Sequence, residues 1–319
     1  MAIMQGKGTL GRRSFLALTA AVALTSGCGI RVDSDPELPT LSPTDTVRNR
    51  VARILENTQA TGEETSVRDR LSKAVGPVWA PPSELATESP SPEPQRNFKD
   101  ALTEIHSAIT GDFTSLAGAT SATLADVAVG AALVLLRDFK AEERKVTESF
   151  SPVVSPTPAP EQNSDDDKAD VRKDESEDED GQKTDGFAEF ISACHKSSYA
   201  YQRLAVFEDE KSPYGMFVRD RHDLLAHAAE EARSFATSVG IENLPANKPA
   251  WQLPSDPRDT KKLAIEAESL LTATLPSVFT FTHPQDPQTE KEVHAFALRH
   301  LYESARATQK AGKFELLRF

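Results

Sequence analysis

Apolar residues recur at the i, i+3, i+4 spacing of an amphipathic helix through most of this chain of 319 residues. The pattern is clearest in residues 185–319, where it marks four segments separated by proline- or glycine-containing connections. No segment there alternates apolar and polar residues between hairpin turns, as a half-buried strand would. Four helices of about 20 residues joined by loops are typical of a bundle. The sequence therefore predicts an all-α fold that ends in a four-helix bundle.

Within this C-terminal region we expect the first helix to follow Asp185 and the second to end at Gly240. The third is expected to carry the apolar residues from Leu263 to Val278. Glu208 falls on the inward stripe of the first helix and Arg221 on that of the second, which predicts a buried salt bridge between them.

The N-terminal half also has helical periodicity, and Thr44 or Asp45 is a suitable cap for its first helix. A short helix around residues 66–75 and two longer ones, over 98–116 and from about 121 to 139, are expected to follow. Residues 127–136 are apolar on nearly all sides, which predicts a central buried helix. This run of about ten residues is too short to cross a bilayer.

A change in composition separates the two halves. Residues 151–185 begin rich in proline and then become strongly acidic, so they cannot bury enough apolar surface to offset the entropy of ordering. We expect an N-terminal helical region over 44–144 with a proline-rich loop at 76–95, a disordered linker over 145–184 and the bundle over 185–319. The acidic run lacks the pattern of an EF-hand, so calcium binding is the weaker interpretation.

The first 28 residues resemble an export signal. Arg12 and Arg13 precede an apolar run that ends at Cys28 after two small residues. The arginine pair favours the twin-arginine route, with the general secretory route as the alternative. Cys28 resembles the cysteine of a lipobox, although Thr25 stands where leucine is usual, so soluble secretion stays open. A diacylglyceryl group on Cys28 and a tether over 29–43 would hold the protein on the outer face of the cytoplasmic membrane.

The net charge limits the kinds of partner that we expect, and the cysteine content limits the role of Cys194. The net charge of −13 disfavours nucleic acid and anionic lipid headgroups. The membrane is therefore expected to be a partner only through the lipid anchor. Cys194, the second of two cysteines, lies on an apolar helical stripe, which predicts a buried thiol rather than a disulfide or a catalytic group.

Several short motifs in the C-terminal region occur together in one order: Tyr199-Ala200-Tyr201, Arg219–Asp223, Trp251–Pro254, and Leu263-Ala264 followed by Glu268. In this respect residues 185–319 resemble the ferritin-like helical domain of unknown function found in lipoproteins of actinobacteria. The resemblance implies a ferritin-like four-helix fold and, for the first half, a related helical region. It implies no known reaction.

A ferritin-like fold invites a test for a di-iron site, which needs a Glu-x-x-His pair on each of two helices. None of the seven histidines has an acid three positions before it. The inward candidates are Glu208, Glu231, Glu266, Glu303 and His300, with His227 at the edge of the stripe. Of these, Glu208, Glu231, Glu266 and His300 would form a degenerate metal or ligand site. A lone histidine such as His300 is typically a hydrogen-bonded core residue, and we expect no cofactor.

The sequence contains no phosphate-binding glycine loop, zinc-protease helix or nucleophile elbow. The leading hypothesis is a non-enzymatic module that binds another envelope protein or a cell-wall component through the C-terminal bundle. One alternative is a degenerate ferritin-like metal or redox enzyme. Another is binding of a small apolar ligand in the bundle, where Tyr199, Tyr201 and Trp251 either line a pocket or fill the bundle end.

Overall fold

The described part of the chain is mostly α-helical, as the sequence predicts. The computed structural model describes residues 40–80, 94–151, 181–283 and 286–319, and in the third of these ranges the side chains from residue 186 onward. The export signal, Cys28 and most of the tether lie outside the described residues, as do residues 152–180 of the predicted linker and 81–93 of the proline-rich loop.

The helices of the first half are α1 (Pro43–Glu56), α2 (Glu63–Val75), α3 (Phe98–Asp112), α4 (Ala119–Asp138) and α5 (Glu143–Ser149). Those of the second half are α6 (Gly181–Leu204), α7 (Pro213–Ser238), α8 (Thr260–Thr272), α9 (Leu275–Phe279) and α10 (Pro287–Lys310). Two short strands, β1 (Thr58–Gln59) and β2 (Arg96–Asn97), pair in parallel with Thr58 opposite Arg96. The helical periodicity did not predict this pair.

Side-chain caps and proline positions explain where several helices begin. The hydroxyl of Ser42 accepts a hydrogen bond from the backbone N–H of Asp45, so Ser42 caps α1. The expected caps, Thr44 and Asp45, lie inside the helix because Pro43 takes its first position, where a missing N–H costs nothing. Ser212 caps α7 in the same way through the N–H of Gly215.

The end of α7 was predicted correctly at Gly240. This glycine has a φ of +79°, a left-handed conformation that favours glycine. The N–H of Gly240 bonds to the carbonyl of Thr237, and the N–H of Ile241 bonds to that of Ala236. These two bonds form a Schellman motif, and Ile241 is buried where the following loop starts.

The expected third helix, Leu263 to Val278, is instead two helices, α8 and α9. Pro276 has no N–H to donate, and its ring would clash with the carbonyl of Thr272, four residues earlier. The first of the two helices accordingly ends at Thr272, and Pro276 lies in the first turn of the second.

Helix α4 lies at the centre of the first half and also contacts the second. It packs against α1, α2 and α3 on one side and against α9 and α10 on the other. Among the described helices it alone is long and apolar enough to span a membrane, but 78% of its most apolar window is buried inside the protein. The helix has 20 residues, so the length argument from the sequence does not hold, and burial is what identifies α4 as a core helix.

The two halves share one core within the unit formed by residues 39–319. Phe150 is fully buried and stacks on Tyr302 of α10 with ring centroids 4.2 Å apart. Helix α5 ends only at Ser149, so the predicted start of the linker at residue 145 falls inside an ordered helix. The carboxylate of Asp126 on α4 accepts hydrogen bonds from the Arg318 guanidinium at 3.0 Å and from the Phe319 backbone N–H.

Four long helices of the second half contact each other in a ring. Helix α6 packs against α7 and α8, and α10 packs against the same two helices. Their small and aromatic residues meet inside the ring, where Phe296 makes edge contacts with Phe190 and Phe235 at 5.3 and 5.5 Å. Leu224 of α7 is 47% exposed, whereas Val218 and Leu225 are among the residues of this helix that are buried.

Candidate functional site

A buried ion pair joins α7 to α8 inside this ring. The Nε and Nη2 atoms of Arg221 donate to the two carboxylate oxygens of Glu268, both at 2.9 Å. The hydroxyl of Tyr201 on α6 donates to Glu268 Oε1 at 2.8 Å. The side chains of Arg221 and Glu268 are 2% and 0% exposed. Burial alone would lower the pKa of Arg221, but the charge and hydrogen bonds of Glu268 raise it above its ordinary value, so the guanidinium stays charged.

A second carboxylate extends this cluster toward α10. Arg221 Nη1 donates to Glu303 Oε2 at 3.3 Å, and His300 Nδ1 lies 3.2 Å from the same oxygen. Burial raises the pKa of Glu303, but His300, Arg221 and Arg299 outweigh it and hold the pKa below its usual range. Burial lowers the pKa of His300 below its ordinary value, although Glu303 acts in the opposite direction. We call Tyr201, Arg221, Glu268, His300 and Glu303 the buried ionic network.

The structure does not bring the four predicted ligand residues together. Glu208 lies beyond the end of α6 at Leu204, so it cannot take the predicted place on the inner face, and the partner of Arg221 is Glu268 instead. Glu231 pairs with Arg299 at 2.6 Å, whereas Glu266 lies 3.9 Å from Lys262 near the surface. Only His300 belongs to the buried ionic network.

The arrangement of donors in the network disfavours a cation. In the described ranges, no group of three or more His, Cys, Asp or Glu side chains is placed to hold a metal ion. The guanidinium of Arg221 fills the space between the carboxylates of Glu268 and Glu303, where it neutralises them. Because both sides of the pair are withdrawn from water, the network is suited to fixing the register of α7 and α8.

Glu268 was the functional residue that sequence reasoning missed as a site candidate. It lies one turn after Ala264 and three residues before Leu271, both buried, so it falls on the apolar stripe of α8. An acid on such a stripe requires a partner of opposite charge, and Arg221 on the inner stripe of α7 was already visible in the sequence. The pair could have been found by matching inward charges between helices.

An accessible concavity lies outside the ring, between α6, α8 and the loop over residues 241–259. It has two adjoining lobes of about 820 and 550 Å³. Both lobes are lined by Ser192, Lys196, Pro245 and Leu270. The first lobe is completed mainly by the loop, including all four residues of the segment Trp251–Pro254. We call the two lobes together the Trp251 cleft.

The loop that forms one wall of this cleft is held in place by a few specific contacts. Arg233 of α7 donates to the carbonyl of Pro245 at 2.6 Å. The indole Nε1 of Trp251 donates to the side chain of Asn247 at 3.3 Å. The ammonium groups of Lys248 and Lys196 lie 4.8 and 5.6 Å from the centroid of the Trp251 indole ring. The cleft therefore combines an aromatic plane with two positive charges.

Three further residues that the sequence singled out are Tyr201, Trp251 and Cys194. Tyr201 is fully buried, and its hydroxyl is engaged by Glu268. Trp251 lines the cleft on the outside of the ring, so these two residues do not share one pocket. Cys194 is fully buried, and burial raises the pKa of its thiol. A protonated, inaccessible thiol is consistent with the packing role expected from the sequence.

Comparison with protein-family models, with characterised proteins and with solved structures gives no match to this chain.

Proposed function

We propose that this protein is a non-enzymatic binding module of the cell envelope, with a ferritin-like C-terminal bundle that binds its ligand in the Trp251 cleft. The observation that carries the proposal is the cleft itself: an open concavity with an aromatic ring and two cations beside it. Binding sites typically combine a largely apolar lining with a few convergent polar groups. In the buried ionic network, in contrast, the charges of Arg221 and Glu268 are already paired and withdrawn from water.

The ferritin-like assignment is part of the proposal. The ring of contacts among α6, α7, α8 and α10 supports it, as do the inward carboxylates of α8 and α10. In this interpretation Arg221 occupies the region where metalloproteins of that architecture gather carboxylates around a cation. The anchor at Cys28 and the export signal belong to the same proposal and rest on the sequence alone.

Photo-crosslinking in living cells tests whether the cleft is occupied. A photoreactive phenylalanine analogue replaces Leu270, which lines both lobes and is 38% exposed. The control places the same analogue at Asp223 on α7, where the side chain is 84% exposed and lines neither lobe. We expect a discrete adduct at position 270 and none at 223. Equal labelling at both positions, or none at 270, would refute a binding role for the cleft.

The competing hypothesis of a metal or redox enzyme has no supporting arrangement among Glu208, Glu231, Glu266 and His300. Elemental analysis of the purified protein separates the two hypotheses. Stoichiometric iron or manganese that is lost in His300→Ala but retained in a surface variant such as Lys99→Met would overturn the binding module in favour of the enzyme.

A further inference from the structure

We propose that the ligand of the Trp251 cleft is an amphiphilic monoanion, with its negative group between Lys196 and Lys248 and its apolar body lying along Pro245 and Leu270. This inference rests on the proposed function and adds the chemical class of the ligand. It follows from three properties of the cleft: the state of its lysines, the composition of its walls and the position of its one acid.

Neither of the two lysines beside Trp251 is neutralised by a nearby carboxylate of the described residues, although the protein is acidic. The chain carries 49 acidic and 36 basic side chains. Yet in the described ranges no carboxylate lies within 4.0 Å of Lys196 or Lys248, and their close polarisable neighbour is the ring of Trp251. An ammonium group that faces only an aromatic ring retains most of its capacity to attract an anion. The cleft is thus a local positive site on a negative surface.

The walls of the cleft are mostly apolar. Leu253, Leu270 and five alanines share them with Trp251, Pro245 and Pro254, whereas seven of the lining residues are polar or charged. The two lobes of about 820 and 550 Å³ lie within the size range of small-molecule sites. Such walls favour a ligand whose body is hydrocarbon or another apolar group, because contact with them removes apolar surface from water.

The second lobe explains why a single negative charge is expected. Its lining includes Glu189, and its only cation within the described residues is Lys196, which it shares with the first lobe. A second anionic group placed in this lobe would lie near the Glu189 carboxylate without a cation of its own. The negative end of the ligand therefore belongs at Lys196 and Lys248, and the apolar end extends toward Ala193 and Ala273.

Intrinsic fluorescence provides a direct assay because the chain has two tryptophans. We use the mature chain from residue 28 onward with Cys28→Ser and Trp79→Phe, so that Trp251 is the sole reporter. The probe is decanoate below its micellar concentration, and decanol and decyltrimethylammonium serve as neutral and cationic probes of equal chain length. We expect saturable fluorescence change with decanoate, at least tenfold weaker binding of decanol and none of the cation.

Lysine variants test the charge contribution. We expect Lys196→Met or Lys248→Met to weaken decanoate binding about threefold each, and the double variant about tenfold, as for exposed ion pairs. Raising the ionic strength should weaken binding to the unsubstituted cleft and leave the double variant nearly unaffected. Lys99→Met on α3, an exposed lysine remote in sequence from the cleft, is the matched control and should bind decanoate unchanged. Identical thermal unfolding of all variants verifies that the fold is retained.

Each outcome decides between the two proposals. Equal binding of decanol and decanoate, or lysine variants that bind as tightly as the control, would overturn the monoanion. If decanoate does not bind but the adduct at position 270 forms in cells, the binding module stands with a ligand of another class, whose mass the adduct supplies. If neither is observed, both proposals fall.

Discussion

Removing the arginine of the buried ionic network should be one of the most destabilising single changes in this protein. In Arg221→Met, Glu268 stays 0% exposed but loses both hydrogen bonds of 2.9 Å to the guanidinium, and Tyr201 remains as its only described side-chain partner. Breaking a buried pair in this way costs about 3–5 kcal/mol, because an uncompensated charge is left away from water.

The companion variants separate this charge effect from lost packing. In Arg221→Met/Glu268→Gln the charge is removed together with its partner, and the Tyr201 hydroxyl still has an acceptor. We expect the double variant to recover at least about 2 kcal/mol relative to Arg221→Met alone. Arg144→Met, which breaks an exposed pair with Glu148, is the surface control and should cost less than about 0.5 kcal/mol.

Urea unfolding followed by circular dichroism measures all four free energies of unfolding at pH 7. A loss below about 1 kcal/mol in Arg221→Met would show that water or a rearranged side chain satisfies Glu268. A double variant no more stable than the single one would show that packing around the guanidinium, not its charge, provides the stabilisation. Either result would refute the role assigned to the network.

Three further predictions concern the backbone, pH and the anchor. Gly130→Ala should destabilise the protein by about 1–3 kcal/mol in urea unfolding, because the added Cβ would lie 2.3 Å from the Leu316 carbonyl oxygen. Gly111→Ala is the control: its Cβ would have no atom within 4 Å, so this variant should be neutral or more stable by up to about 1 kcal/mol. Burial lowers the pKa of His106 from 6.5 to about 4, so below pH 6.5 this residue is protonated in the unfolded chain before it is protonated in the folded one. As the pH falls from 6.5 to 4, His106 should therefore lower the free energy of unfolding by up to about 3 kcal/mol. The difference in unfolding free energy between the unsubstituted protein and His106→Gln should change over this pH range, and a constant difference would contradict the prediction. Cys28→Ser should move the protein from the membrane fraction to the medium with unchanged thermal unfolding, and membrane retention would contradict the lipid anchor.

The helical character could be predicted from sequence because it depends on local periodicity and on end signals. The Schellman motif at Gly240 is an example, since the glycine and the preceding apolar stripe suffice to locate it. Pro276 also predicts a break in the third helix, but the apolar pattern continues across this residue. The prediction of one continuous helix followed the periodicity and not the proline. The error was one of competing local signals rather than of missing information.

The site was harder to predict because its parts are joined only by the tertiary fold. Glu268 and Arg221 are 47 positions apart, and no local pattern indicates that they meet. Glu208 was placed on the inner face by extending the helical period past Leu204, where the helix actually ends. The cleft depends on a loop without regular structure, whose path is set by contacts such as that of Arg233 with Pro245. Periodicity carries no information about such a path.

The sequence also gives no indication whether the two halves share one core, because a low-complexity stretch of about 35 residues separates them. The contact of Phe150 with Tyr302 depends on an aromatic residue at the very edge of that stretch. A residue so close to a proline-rich segment gives no sequence signal that it will be buried.

The burial of α4 has a consequence for the export that the N-terminal sequence predicts. Helix α10, one of the helices that cover α4, is synthesised roughly 150 residues later, so part of this segment of stop-transfer hydropathy stays uncovered until translation is nearly complete. A translocon that threads unfolded polypeptide would meet this segment uncovered and could release it sideways into lipid. A transporter that accepts only folded proteins would never encounter it uncovered, which is a physical reason to expect the twin-arginine route predicted from Arg12 and Arg13.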